Sequence, residues 1–149
     1  MSGQGFREIS AQAGVDNDLD GRGIAMGDFN NDGRLDLFQT NADQPALFYQ
    51  GATEGGGNWI QFQLTGVQSN RDAIGARIKL TAGGLTQIRE IDGGNGYAGQ
   101  SMRRAHFGLG AAKRVDEVEI HWPSGKVDKI AGPAINSINH VVEGKGLAR

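Results

Sequence analysis

The stretch Gly27-Asp28-Phe29-Asn30-Asn31-Asp32-Gly33-Arg34-Leu35-Asp36-Leu37 decides how the rest of the chain is read. Oxygen-bearing side chains recur at every second residue, Asp28, Asn30 and Asp32, followed by Gly33 and then Asp36. A tight loop brings alternate side chains to one point, and calcium takes about six to eight oxygen ligands there. Gly33 supplies a turn that a side chain would obstruct. Arg34 is expected to offer its backbone carbonyl, because its guanidinium is repelled by a cation. Three carboxylates held close repel one another unless a cation lies between them. The expected site is therefore a Ca2+ loop of Asp28, Asn30, Asp32, the Arg34 carbonyl and Asp36. The plain alternative is a polar turn between two strands.

The loop is not of the helix–loop–helix kind, which needs a bidentate Glu at the twelfth position and helices on both sides. Counted from Asp28, that position is Gln39, and the flanks Gly23-Ile24-Ala25-Met26 and Leu35 to Thr40 read as strands. Asp28 to Asp36 resembles the calcium loop of the FG-GAP/VCBS repeat, the blade motif of integrin-type β-propellers. The resemblance implies that the loop joins two strands of a blade and uses the same five ligand positions.

The 149 residues suffice for one ordinary domain or two very small ones. With 38% hydrophobic and 21% charged residues the chain can bury a core, which removes it from the disordered class. Twenty-five glycines against three prolines suggest many turns, as in an all-β protein. A net charge of −2 with mixed signs gives no electrostatic case for nucleic acid or an anionic membrane. No apolar run approaches the length of a bilayer span, so no membrane insertion is expected. Met1 to Gly5 is polar and reads as no signal peptide. With no cysteine, disulfides, thiol catalysis and thiolate metal sites are excluded, and a bound ion is the available staple.

Gly5 to Ile9 reads either as a short strand or as an arm packing Phe6 and Ile9 on the body. Asp16-Asn17-Asp18-Leu19-Asp20-Gly21 repeats the alternating acidic pattern but has Ile24 where a further oxygen is needed, so it reads as a solvated acidic loop, the alternative being a weak or shared second cation at Asp16, Asp18 and Asp20. Three strands follow at Ile24 to Phe29, Leu35 to Thr40 and Ala46 to Gln50, the last two joined by a turn over Asn41 to Pro45. Ala46-Leu47-Phe48-Tyr49-Gln50 also resembles the last strand of the repeat. The glycine-rich Thr53 to Asn58 reads as a connector. Beyond it, Ile60, Phe62 and Leu64 alternate with Gln61, Gln63 and Thr65. Ile74, Ala76, Ile78 and Leu80 form a second alternating run, and Leu85 to Asp92 a third whose pattern breaks near Ile88, where a bulge is expected. Ala105, Phe107 and Leu109 mark a strand, as do Val118, Ile120 and Trp122. Pro123 to Lys126 is a hairpin turn into Val127 to Ile130, and Ile135 to Val142 closes the sheet. About ten short strands without a sustained helical period predict an all-β antiparallel sandwich behind a three-stranded, propeller-blade-like unit. Ile78, Phe107, Ile120 and Trp122 are expected in one core.

Gly57-Asn58-Trp59-Ile60, Asn70 to Arg77, Gly96-Tyr97, His106-Phe107-Gly108-Leu109-Gly110 and Trp122-Pro123-Ser124-Gly125 resemble the ASPIC/UnbV domain, in order, over about residues 57–143. The resemblance implies a cartilage acidic protein-like arrangement in which this domain follows FG-GAP repeats, here a single blade. The expected division is 1–52, arm and blade, and 57–145, sandwich.

No local spacing pairs His106, His121 and His140 for zinc, and neither Ser101 nor Ser124 stands in a nucleophile-elbow context. Asp72 and Glu90 read as surface charge rather than a glycosidase pair, and Arg71, Arg77, Arg89, Arg103 and Arg104 as ion-pairing residues on a solvated face. Trp59, Trp122, Tyr97 and Tyr49 are candidates for a sugar-stacking face, although Trp122 follows core parity. The resulting expectation is a non-catalytic, secreted or cell-surface, calcium-binding module for adhesion, protein interaction or self-assembly. The alternative is a calcium-dependent carbohydrate-binding module with glycan as partner. Apolar residues of both parities in 24–50 predict self-association through the blade, unless Phe6, Ile9 and Val15 fold back over Phe38 and Phe48.

Overall fold

The computed structural model describes residues 5–52 and 55–148. The first three strands, β1 (Gly21–Gly27), β2 (Asp36–Asn41) and β3 (Gln44–Tyr49), form an antiparallel meander in that order. Each differs from its expected limits by one to three residues. The β2–β3 turn contracts to Ala42-Asp43, with Asp43 at φ 53°, a conformation Asp tolerates. Gln44 and Pro45 thereby join β3, where proline is compatible with an edge strand.

Gly5 to Ile9 forms neither the expected strand nor a packed arm: Phe6 is fully exposed and Ile9 about half exposed. A single helical turn, α1 (Ser10–Ala13), follows, and then Ala13 and Val15 border a hollow with Leu35, Leu37 and Tyr49. Asn17 adds hydrogen bonds from Nδ2 to Gln39 Oε1 (3.3 Å) and to the Tyr49 hydroxyl (2.8 Å). The arm thus covers the face shared by the paired Leu37 and Tyr49 and leaves the face of the paired Phe38 and Phe48 open. The outer edge of β1 is also occupied. Met102 N–H donates to Met26 O (2.8 Å) and Met26 N–H to Ser101 Oγ (3.0 Å). Gly99 permits this approach, because a Cβ there would stand 2.7 Å from Ile24 O.

The remaining strands are β4 (Asn58–Thr65), β5 (Arg77–Ala82), β6 (Leu85–Glu90), β7 (Ala105–Gly110), β8 (Glu117–His121), β9 (Val127–Lys129), β10 (Ile138–Val142) and β11 (Gly146–Leu147). They build two four-stranded sheets, β11-β10-β4-β7 and β6-β5-β8-β9, packed face to face as the all-β sandwich the alternation predicts. Ile60, Phe62 and Leu64 of β4 and Phe107 of β7 meet Ile78 and Leu80 of β5, Ile120 of β8 and Trp122 in one buried core. Phe62 and Phe107 cross edge to face at 6.0 Å and 82°, an arrangement that adds about 0.5–1.5 kcal/mol to area burial. Glu143, buried after β10, accepts from the N–H groups of Val67, Gln68 and Ser69 at 2.6–2.8 Å and from the Ser69 and Ser124 hydroxyls. Burial opposes its ionisation, but the Ser124 hydroxyl, the Ser69 and Val67 N–H groups and the Ser69 hydroxyl outweigh it and lower its pKa to about 2.

Two features differ from the sequence expectation. The ladder of β10 on β4 is parallel, while the others are antiparallel, because the long route through the second sheet returns the chain in the direction of β4. The bulge near Ile88 is absent, since β5 and β6 pair without a shift from Arg77↔Glu90 to Ala82↔Leu85. The alternation weakens there because β6 is an edge. Leu85, Gln87 and Arg89 share the face of Ala82, Leu80 and Ile78; Gln87 Nε2 donates to Gly108 O (2.8 Å) and the Arg89 guanidinium lies 5.5 Å from the Phe107 ring centroid.

Candidate metal centre

The loop between β1 and β2 docks on the outer face of β4 and β7. Asn31 (φ 60°) and Gly33 (φ 86°) turn the backbone sharply enough to fold the loop over its own first side chain. Asp28 Oδ1 accepts from Asp32 N–H (3.0 Å) and Asp28 Oδ2 from Gly33 N–H (2.9 Å). Asn30 Oδ1 accepts from the same Asp32 N–H (3.1 Å), so Asp28 and Asn30 face one point. Asp36 closes the loop from the far side: Oδ2 accepts from Phe29 N–H (3.0 Å) and Oδ1 from Gly51 N–H (2.8 Å).

Asp28 and Asp36 are almost completely buried, and neither forms an ion pair with Lys, Arg or His among the described residues. Their oxygens accept from backbone and amide N–H groups, and a buried carboxylate outside any ion pair is a costly arrangement that a bound cation relieves. Asp32 differs. Its Oδ1 accepts from Arg34 N–H (2.9 Å), and its Oδ2 meets both the Arg34 guanidinium (2.5 Å) and Asn30 Nδ2 (2.7 Å). The Arg34 N–H bond, together with the Asn30 bond and the Arg34 charge, overcomes desolvation and holds the Asp32 carboxyl below its usual range. The Asp32 charge thus draws the Arg34 guanidinium over the loop. Among the described residues no three Asp, Glu or His side chains converge as a metal-holding group by themselves. The donor types still fit a hard cation: carboxylates, the Asn30 Oδ1 beside Asp28 and a backbone carbonyl at Arg34, with the two buried carboxylates in no ion pair among the described residues.

The sandwich supplies contacts that residue spacing did not reveal. Gln61, fully buried on the outer face of β4, donates from Nε2 to Asp28 Oδ2 at 2.5 Å. Its Oε1 has no hydrogen-bond partner among the described residues, a condition that costs about 1–3 kcal/mol for a buried polar group. Arg104, expected on a solvated face, instead donates to Asp28 O (2.7 Å) and Asn31 Oδ1 (2.6 Å). His106, which alternates with the core residues Ala105 and Phe107 and so faces outward, bonds Gly33 O through Nε2 (2.8 Å). Trp59 stacks on His106 at 6.4 Å and 10° and lies directly against Gly33, so it covers the junction. Outward parity was the signal for Gln61 and His106; nothing local indicated that this face is covered.

Other candidates are dispersed. Asp72 pairs with Arg103 and Glu90 with Arg77 (4.0 Å) on the surface. Trp122 is buried in the core with Nε1 donating to Asp128 (2.9 Å), Tyr49 bonds Asn17, and Tyr97 is exposed in the loop before β7, so the four aromatic residues do not form one face. In the acidic 16–21 segment, Asp20 meets Arg22 (2.6 Å) and its N–H donates to Gln44 Oε1 (2.8 Å).

Residues 66–148 match the family model described as ASPIC and UnbV. The chain is similar to cartilage acidic protein 1 of Xenopus tropicalis, at 35% identity over 127 residues, covering 80% of this chain and 19% of that protein. It is similar to the Mus musculus and Homo sapiens proteins of the same name at 32% identity over 128 residues, covering 82% of this chain and 20% and 19% of theirs. The chain thus spans about one fifth of the length of these relatives. The match over 66–148 takes in the sandwich from just after β4 through β11, and the chain belongs to the ASPIC and UnbV family.

Proposed function

We propose that this chain is a non-catalytic, calcium-stabilised β module of extracellular type, acting in adhesion, protein interaction or self-assembly. The observation that carries the proposal is the pair of buried carboxylates, Asp28 and Asp36, held in an oxygen-lined loop with neither in an ion pair to Lys, Arg or His among the described residues. Asp28, Asn30, Asp32, the Arg34 carbonyl and Asp36 hold the ion, which neutralises the loop and fixes β1 to β2. The resemblance of this loop to the FG-GAP/VCBS repeat supports the assignment, with 1–52 as arm and blade and 57–145 as sandwich. The cartilage named in the relatives supports an extracellular setting, where weak calcium sites of the millimolar class are filled.

Assembly is supported by the open face of the three-stranded unit. Phe29, Phe38 and Phe48 are exposed there, Phe29 and Phe48 packing edge to face at 5.7 Å, beside the edge of β3, which pairs with no further strand among the described residues. An apolar face beside an unpaired edge is a template for a second chain.

Chelation tests the calcium reading. Binding to the folded state alone stabilises it by roughly 2.7 kcal/mol at about a hundredfold excess over the dissociation constant. Melting should therefore fall when EDTA replaces calcium, and Asp32→Ala should melt near the chelated value in either buffer. Identical wild-type melting in the two buffers rejects the reading.

A further inference from the structure

We propose that Gln61, a residue of the sandwich, belongs to the cation site of the three-stranded unit and supplies it with an oxygen through Oε1. The inference rests on the calcium reading above. Gln61 lies at the middle of β4, opposite His106 of β7 and Ile138 of β10, on the face turned away from the core. Its side chain is fully buried there by the docked loop, and its Nε2 bonds Asp28 Oδ2 at 2.5 Å. The carbonyl oxygen of the same amide has no partner among the described residues. An apolar side chain such as Leu would fill this position without leaving a buried oxygen unmet.

Calcium provides the use for that oxygen. The loop contributes donors from five residues, whereas the ion takes about six to eight oxygens, with Gln carbonyls among its ordinary ligands. The Gln61 amide already touches the first of those five, so its oxygen is a neutral donor that the sandwich brings up to the loop. Arg104 on Asp28 O and His106 on Gly33 O hold the loop backbone to the same sheet, so the site is built across both units. Ion binding and docking of the loop are then linked: each strengthens the other by the same factor.

The experiment uses the full chain and calcium alone as probe, with affinity read by titration calorimetry and melting read in calcium and in EDTA. Gln61→Leu is expected to weaken calcium binding about 10–100-fold, the usual loss when a supporting residue at a metal site is removed, while its melting falls less in EDTA, where only the Nε2 bond to Asp28 is lost, than in calcium. Gln61→Glu keeps oxygen donors and is expected to retain binding, but to melt lower in EDTA because its carboxylate faces Asp28. Wild-type affinity in Gln61→Leu, or equal melting losses in calcium and EDTA, overturns the proposal and leaves Gln61 a packing residue. If Gln61→Leu does not fold, loss of binding in a folded Gln61→Glu overturns it instead. A wild-type chain without measurable binding removes the calcium reading itself, and this inference with it.

Discussion

Replacing Gly33 by alanine tests the junction at its tightest point. Two independent effects oppose a side chain there. Gly33 has φ 86°, and an L-residue in the left-handed region costs about 1–2 kcal/mol. A Cβ at Gly33 would also overlap Nε1, Cε2 and Cδ1 of Trp59, atoms of a rigid ring held against His106. Overpacking of this kind typically costs about 1–3 kcal/mol. Gly33→Ala should therefore lower stability by about 2–5 kcal/mol, measured by urea unfolding followed by circular dichroism. In a Trp59→Ala background the overlap disappears and only the backbone share, about 1–2 kcal/mol, should remain. A loss below about 0.5 kcal/mol for Gly33→Ala, within the range of an ordinary surface substitution, would refute the packing of Trp59 on the loop.

Glu143 and the open aromatic face give further expectations. The folded pKa of Glu143 lies near 2, below its ordinary 4.5, so its contribution to stability is present above pH 4.5 and is lost as pH falls from there towards 2. Glu143→Gln should melt lower than wild type at neutral pH and show a shallower decline through that acid window; a difference independent of pH would refute the carboxylate's role. Sedimentation at tens of micromolar in calcium should show wild-type self-association that Phe48→Asp abolishes, and a wild-type monomer would end the assembly reading.

The sandwich was largely legible in the sequence because each central strand buries one face. Ile60, Phe62 and Leu64 sit on one parity, as do Val118, Ile120 and Trp122, and all six are in the core. The edge strand β6 was misread because its core-side positions, Gln87 and Arg89, are polar: they reach the neighbouring sheet through a hydrogen bond and a ring contact instead of burial. The direction of β10 was hidden, since side-chain alternation is the same in parallel and antiparallel pairs. At the site, the oxygen spacing from Asp28 to Asp36 marked the loop, but its docking partners are 33 to 76 residues away along the chain. Gln61 and Arg104 become part of the site only because the loop covers the outer face of β4 and β7, a tertiary event with no local signature.

The central claim is that the loop holds one calcium ion. A crystal structure grown in millimolar calcium tests it most directly. One ion should lie among Asp28, Asn30, Asp32, the Arg34 carbonyl and Asp36 at about 2.3–2.6 Å, with the Arg34 guanidinium released from Asp32. An ordered loop that holds only water and keeps the Arg34–Asp32 ion pair would contradict the account.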